Sequence, residues 1–173
     1  LSGRGGMGKS RLAREIGRRF GASVWVVPCR GVESSEELRM RIHAQIGLDQ
    51  TESLETELHD QRGLIILDNL EHSVHLEGLM ESIATAQRVK VLVLSRKRIV
   101  ARGEGHIDLQ CLSIHHAREF IKSLLGSAVT DGLTSALPRL TRAPLGLIVA
   151  ASLLVAEPSM AIRLPQVTRS ASS

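Results

Sequence analysis

Residues Gly3 to Ser10 read G-R-G-G-M-G-K-S, and behind them Leu12, Ile16 and Phe20 recur every fourth position. Together these patterns demand a tight glycine turn that runs straight into a helix. Such a turn brings several backbone N–H groups together at a helix N-terminus, an arrangement suited to phosphate groups. The spacing is G-x-x-x-x-G-K-S. Gly3, Gly5, Gly6 and Gly8 let the backbone wrap closely, and Arg4 and Met7 fill variable positions. Lys9 is placed to reach β- and γ-phosphates, and Ser10 to offer its hydroxyl to Mg²⁺. Arg11 follows in the first helical turn. An accidental glycine-rich turn would not also bring the Lys-Ser pair and the helix. A loop of this kind normally follows a strand, yet only Leu1 and Ser2 precede it. The expectation is a segment cut at its first strand, poorly stable alone because a gap in a sheet leaves unpaired backbone.

The rest of the chain alternates strand and helix signals. V24-W-V-V-P28, L64-I-I-L-D68 and V89-K-V-L-V-L-S95 are short apolar runs, as expected of buried parallel strands. H106-I-D-L-Q110 alternates like a half-buried edge strand. Ser34 stands three residues before Glu37, a capping-box spacing, and Leu38, Ile42 and Ile46 then recur up to Gly47. Thr51 is a candidate cap for a third helix carrying Leu54 and Leu58 inward. Helices are expected over 74–87, 114–125 (capped by Ser113), 131–140 and 144–156. The fold class is therefore α/β, a P-loop three-layer sandwich with a parallel sheet, followed by a small helical lobe. The expected divisions are a core at 1–112 lacking its first strand, a lobe at 113–156 and a disordered tail at 157–173.

Composition narrows the function. The 173 residues suit one domain, and 22 basic against 18 acidic residues give a dispersed net charge of +4. With Phe20, Trp25 and Phe120 as the aromatics, base-stacking platforms have almost no material. No apolar run is long enough to cross a bilayer, and no basic-then-apolar leader is present. Cys29 and Cys111 lack ligand spacing, so two reduced, buried thiols in a cytoplasmic protein are expected.

The phosphate loop calls for an acid at the end of a buried strand, directed at Mg²⁺. Asp68 closes four aliphatics and meets that requirement. Its neighbour is Asn69, an amide that cannot take a proton from an attacking water. Glu71 would point elsewhere if the chain stayed extended. Slow or partner-assisted hydrolysis is the expectation. Arg96 follows Ser95 at the end of the next run, on the side where ligands gather in a parallel sheet, and is placed to report a γ-phosphate. Its alternative is a solvated loop arginine. His72, His75, His115 and His116 complete no zinc site.

On L1-S-G-R-G-G-M-G-K-S-R-L-A13, L64-I-I-L-D-N-L-E-H72 and V91-L-V-L-S-R96, the chain resembles the NB-ARC-like nucleotide-binding domain of signal-transduction ATPases. The Leu-Asp-Asn-x-Glu-His element is similar to the bacterial ATP-binding transcriptional regulators of that group. Gly103-Glu104 and Leu112-Ser113 follow the family's course over about residues 1–156. R142-A-P-L-G146 resembles the family's Gly-Leu-Pro-Leu-Ala element, with Arg142 in place of the glycine. The resemblance implies that Pro144 packs on adenine. It also implies that the phosphate-loop strand lies between the Ser95 strand and the last strand. It further implies an ATP/ADP switch with Mg²⁺, acting with other domains of a parent chain. Nucleotide-dependent homo-oligomers are implied, and DNA contact only through domains outside this chain; no membrane is involved. Two alternatives stay open: a P-loop small-molecule phosphotransferase, and a non-hydrolysing interaction module or truncated remnant.

Overall fold

Three aliphatic runs pair side by side, and their pairing carries the acid to the glycine loop. The computed structural model describes residues 1–47, 53–71, 79, 83, 86, 88–99, 105–126, 136–138 and 141–156. The element order is α1 (Lys9–Arg19), β1 (Ser23–Pro28), α2 (Ser35–Ile46), α3 (Leu54–His59), β2 (Gly63–Asp68), β3 (Val89–Leu94), α4 (Ile114–Leu125) and α5 (Pro144–Ala156). The segment 157–173, Thr51, His72, His75 and Gly103-Glu104 lie outside the described residues. The helix expected over 74–87 is described as helix at Leu79 and Ile83, and that over 131–140 at 136–138.

The chain forms two compact units. The first holds Leu1–Gly5 and Lys9–Leu109. Its sheet runs β1-β2-β3, all parallel, with Val27 opposite Leu67 and Leu67 opposite Val93. β2 is central, and Gly63 through Leu67 are all buried. One face of the sheet meets α2, α3, Leu79 and Ile83 in a core that includes Val27, Leu38, Ile42, Leu58, Ile65 and Leu67. The other face meets α1 through Ala13, Leu64, Ile66 and Leu94. These are the three layers that the alternation of elements predicts.

Local signals explain most of the boundaries. Ser34 caps α2 by accepting from the Glu37 N–H at 3.1 Å. Gly47 ends the helix in the left-handed region at φ 78°. Ser53, not Thr51, caps α3, accepting from the Thr56 N–H at 3.3 Å. His43 and Glu57 tie α2 to α3 through a buried 2.8 Å contact. Helix α1 departs from expectation. Its small residues, Ala13 and Gly17, are buried, whereas Leu12 and Ile16 are each 38% exposed. A helix can approach a sheet most closely on its smallest side chains. A Cβ on Gly17 would come within 3.0 Å of Val24.

Leu1 and Ser2 lie in the place that the family course gives to the loop's strand. The Leu1 amino group donates to the Val93 carbonyl at 2.8 Å, and the Ser95 N–H donates to Leu1 at 3.2 Å. On the other side, the Ser2 N–H donates to Ile107 at 2.9 Å and the Leu109 N–H donates to Ser2 at 2.8 Å. The segment 106–110 makes one parallel bridge, Ser2 to Asp108, rather than the expected strand.

The second unit contains Gly6–Gly8 and the described residues from Gln110 onward. Ser113 caps α4, accepting from the His116 N–H at 3.1 Å. Ala117 and Ile121 of α4 pack with Leu137 and with Leu147 of α5. The thiols differ from expectation: Cys29 is buried but Cys111 is exposed. Burial pushes the Cys29 thiol up to about 12.

Gly63 opens β2 beneath the Trp25 ring. A Cβ there would lie 2.1 Å from the ring and 2.7 Å from the Ser23 carbonyl oxygen. Gly63→Ala should therefore cost about 1–3 kcal/mol through overpacking. A lowered urea midpoint with an unchanged slope would register that loss.

Candidate functional site

The strand end and the loop meet at two oxygens. Ser10, at the start of α1, donates its hydroxyl hydrogen to Asp68 Oδ1 at 2.9 Å. Asp68 closes β2, opposite Pro28 of β1 and Leu94 of β3. The register of a buried strand thus fixes the carboxylate. The first turn of α1 fixes the hydroxyl.

The loop itself bends as its glycines permit. Gly6 and Gly8 take φ of 78° and 88°, values that L side chains rarely adopt. Arg4 and Arg11 are exposed, and Met7 is buried. The Lys9 ammonium turns back onto its own loop, donating to the Gly3 carbonyl and to the Arg4 carbonyl at 3.0 Å. Burial pushes the Lys9 ammonium below its ordinary value. Glu71 pulls it back up, Arg96 lowers it, and Asp68 raises it.

Asn69 redirects the chain after Asp68. Its φ of 65° is the one positive value among described non-glycine residues. The expectation that Glu71 points away assumed an extended chain, and the left-handed Asn69 removes that premise. Leu70 is fully buried, and its N–H donates to the Leu94 carbonyl at 3.0 Å. Glu71 then lies with Oε1 3.5 Å from Arg96 Nε. Asparagine tolerates the left-handed region well, so Asn after a strand-end acid was the available signal for this turn.

Lys9, Ser10 and Asp68 are thus brought together, with Glu71 and Arg96 beside them. Pro144 opens α5 at a position where proline lacks no needed donor. The next N–H, of Leu145, donates to the Gly6 carbonyl at 3.1 Å. Arg142 has no positive φ, so it fits where the family pattern has glycine.

The donor set suits a hard divalent cation. Ser10 Oγ and Asp68 Oδ1 are both oxygens, close enough to share one coordination sphere. Mg²⁺ would supply charge neutralisation for phosphate there. Among the described residues, no cluster of three or more His, Cys, Asp or Glu side chains could hold a metal alone.

A model of the NB-ARC domain matches residues 1–129. The chain belongs to the NB-ARC family, and it is a nucleotide-binding domain of the P-loop α/β class. No curated protein matches it. Among solved structures, Cdc6p from Pyrobaculum aerophilum is similar at a TM-score of 0.67 and 12% identity, over 90% of this chain and 53% of that one. A RuvB mutant from Thermogota maritima is similar at 0.63 and 17%, over 96% of this chain and 60% of that one. The chain therefore spans little more than half the length of these structures, and the likeness is one of fold.

If the Asn69 turn positions the residues after it, a β-branched side chain there should be costly. Asn69→Val should lose about 1–2 kcal/mol, the strain of a left-handed L-residue, and Asn69→Gly should lose none. Urea unfolding of both variants checks this.

Proposed function

We propose that this chain is an ATP/ADP-binding regulatory switch domain, in which slow hydrolysis of ATP to ADP resets the state. The observation that carries the reading is the meeting of Lys9 and Ser10 with Asp68. One ammonium, one hydroxyl and one carboxylate there match the needs of a Mg²⁺–phosphate group. In this reading Gly3, Arg4, Gly5, Gly6, Met7, Gly8, Lys9, Ser10 and Arg11 bind the phosphates. Ser10 and Asp68 hold Mg²⁺, and Arg96 senses the γ-phosphate. The family pattern adds Pro144 on the adenine.

Slowness follows from Asn69, which cannot accept a proton where a carboxylate would. A switch needs long-lived states, and ATP must bind one state better than the other. Other domains of a parent chain would read the state in the cytoplasm, through nucleotide-dependent homo-oligomers and, for DNA, through domains outside this chain. No described helix is long and apolar enough to cross a membrane.

Calorimetric titration with MgATP and MgADP tests the reading. Lys9→Ala removes charge-assisted hydrogen bonds worth about 1.5–3 kcal/mol, so both affinities should fall about 10- to 100-fold. No binding by the wild type, or equal binding by Lys9→Ala, would contradict it.

A further inference from the structure

Glu71 carries an unmet need. Its Oε1 has essentially no exposed surface and accepts no hydrogen bond among the described residues. Its ionic neighbour, Arg96 Nε at 3.5 Å, stands beyond ordinary hydrogen-bond reach. A buried carboxylate oxygen left this way calls for an explanation. The backbone supplies a second observation. Asn69 holds a left-handed φ of 65° while Leu70 is anchored to β3, and together they set the direction of residue 71. Asparagine adopts this turn readily, so the direction it gives residue 71 costs little. The third observation is electrostatic neighbourhood. Among the charged groups acting on Lys9, Glu71 comes ahead of Arg96 and Asp68. Its carboxylate therefore acts on the Lys9 ammonium, as well as pairing with Arg96.

We propose that Glu71 is the proton acceptor for ATP hydrolysis in this chain, restrained by Arg96 until a γ-phosphate draws Arg96 away. The proposal rests on the nucleotide-switch reading above and assigns its chemical step. Water oxygen forms a bond to the γ-phosphorus as the bond from that phosphorus to the β–γ bridging oxygen breaks. The bridging oxygen leaves with ADP. One water proton passes to the Glu71 carboxylate, which later returns it to solvent, and inorganic phosphate departs. With ADP bound there is no γ-phosphate to compete for the guanidinium. Arg96 then stays on Glu71. The same ion pair thus links the sensing of the γ-phosphate to the freeing of the base. A base that must first shed its partner also accounts for slow turnover, independently of the amide at Asn69.

The test uses the full chain, with phosphate release and calorimetric binding measured on wild type, Glu71→Gln and Glu71→Asp. Glu71→Gln keeps the shape and removes the proton acceptor. Its turnover should fall about 100-fold or more, the contribution typical of a positioned base, while its ATP and ADP affinities stay within about threefold. Glu71→Asp should recover part of the turnover. Matching thermal melts separate these effects from misfolding, because a merely structural role would move affinity or stability along with rate. Glu71→Gln turnover within about threefold of wild type would overturn the proposal. So would a wild type that binds ATP and never hydrolyses it. Failure of the wild type to bind ATP would instead remove the nucleotide reading, and the proposal with it.

Discussion

A strand buried on both faces can place a charge only at its end. β2 is such a strand: Leu64, Ile65, Ile66 and Leu67 are at most 4% exposed, and Asp68 follows them. Asp68 is partly withdrawn from water, so its carboxylate gains from a polar partner. Ser10 is that partner, and its position at the head of α1 is set by the packing of Ala13 and Gly17 against the sheet. The bond between Ser10 and Asp68 therefore joins the hydrophobic register of the sheet to the geometry of the loop. A shift of β2 by one residue would exchange its two faces and break the bond at once.

Around this bond the charges alternate in sign. Lys9 and Arg96 stand with Asp68 and Glu71, two cations with two carboxylates. The cluster is only partly buried, with Arg96 mostly exposed. It is also poised for change, because an incoming phosphate adds negative charge and a cation adds positive charge. Lys9 holds carbonyls of its own loop, and Arg96 faces Glu71. Both cations already have acceptors that phosphate oxygens would replace. In the proposed reading, a nucleotide would take over these partners, and a switch would require that exchange to favour one state.

Much of this was legible in the residues. The three strands are legible to within a residue, because short aliphatic runs rich in β-branched residues leave little choice of element. Ser34, Gly47 and Ser113 marked helix ends through side-chain and left-handed caps that act locally. Other features depended on tertiary contacts. The buried face of α1 was misread because periodicity weighs Leu12 and Ile16 by size, whereas the sheet selects Ala13 and Gly17 for close approach. The edge strand expected at 106–110 forms only the Ser2–Asp108 bridge, because alternation alone does not guarantee a ladder partner. The direction of Glu71 hangs on one dihedral at Asn69, for which the asparagine after the strand-end acid is the local signal, whereas an extended chain would send Glu71 elsewhere. Lys9, Ser10 and Asp68 were legible as a group because loop and strand end each carry a local signature.

We propose that Ser10 and Asp68 form a single seat for a divalent cation shared with a nucleotide. The most direct measurement is water-proton relaxation of Mn²⁺ titrated with the chain, with and without ADP, in wild type and Asp68→Ala. The account predicts an enhancement in the wild type that requires ADP and that Asp68→Ala removes. Equal enhancement in both proteins, or none in the wild type, would contradict it.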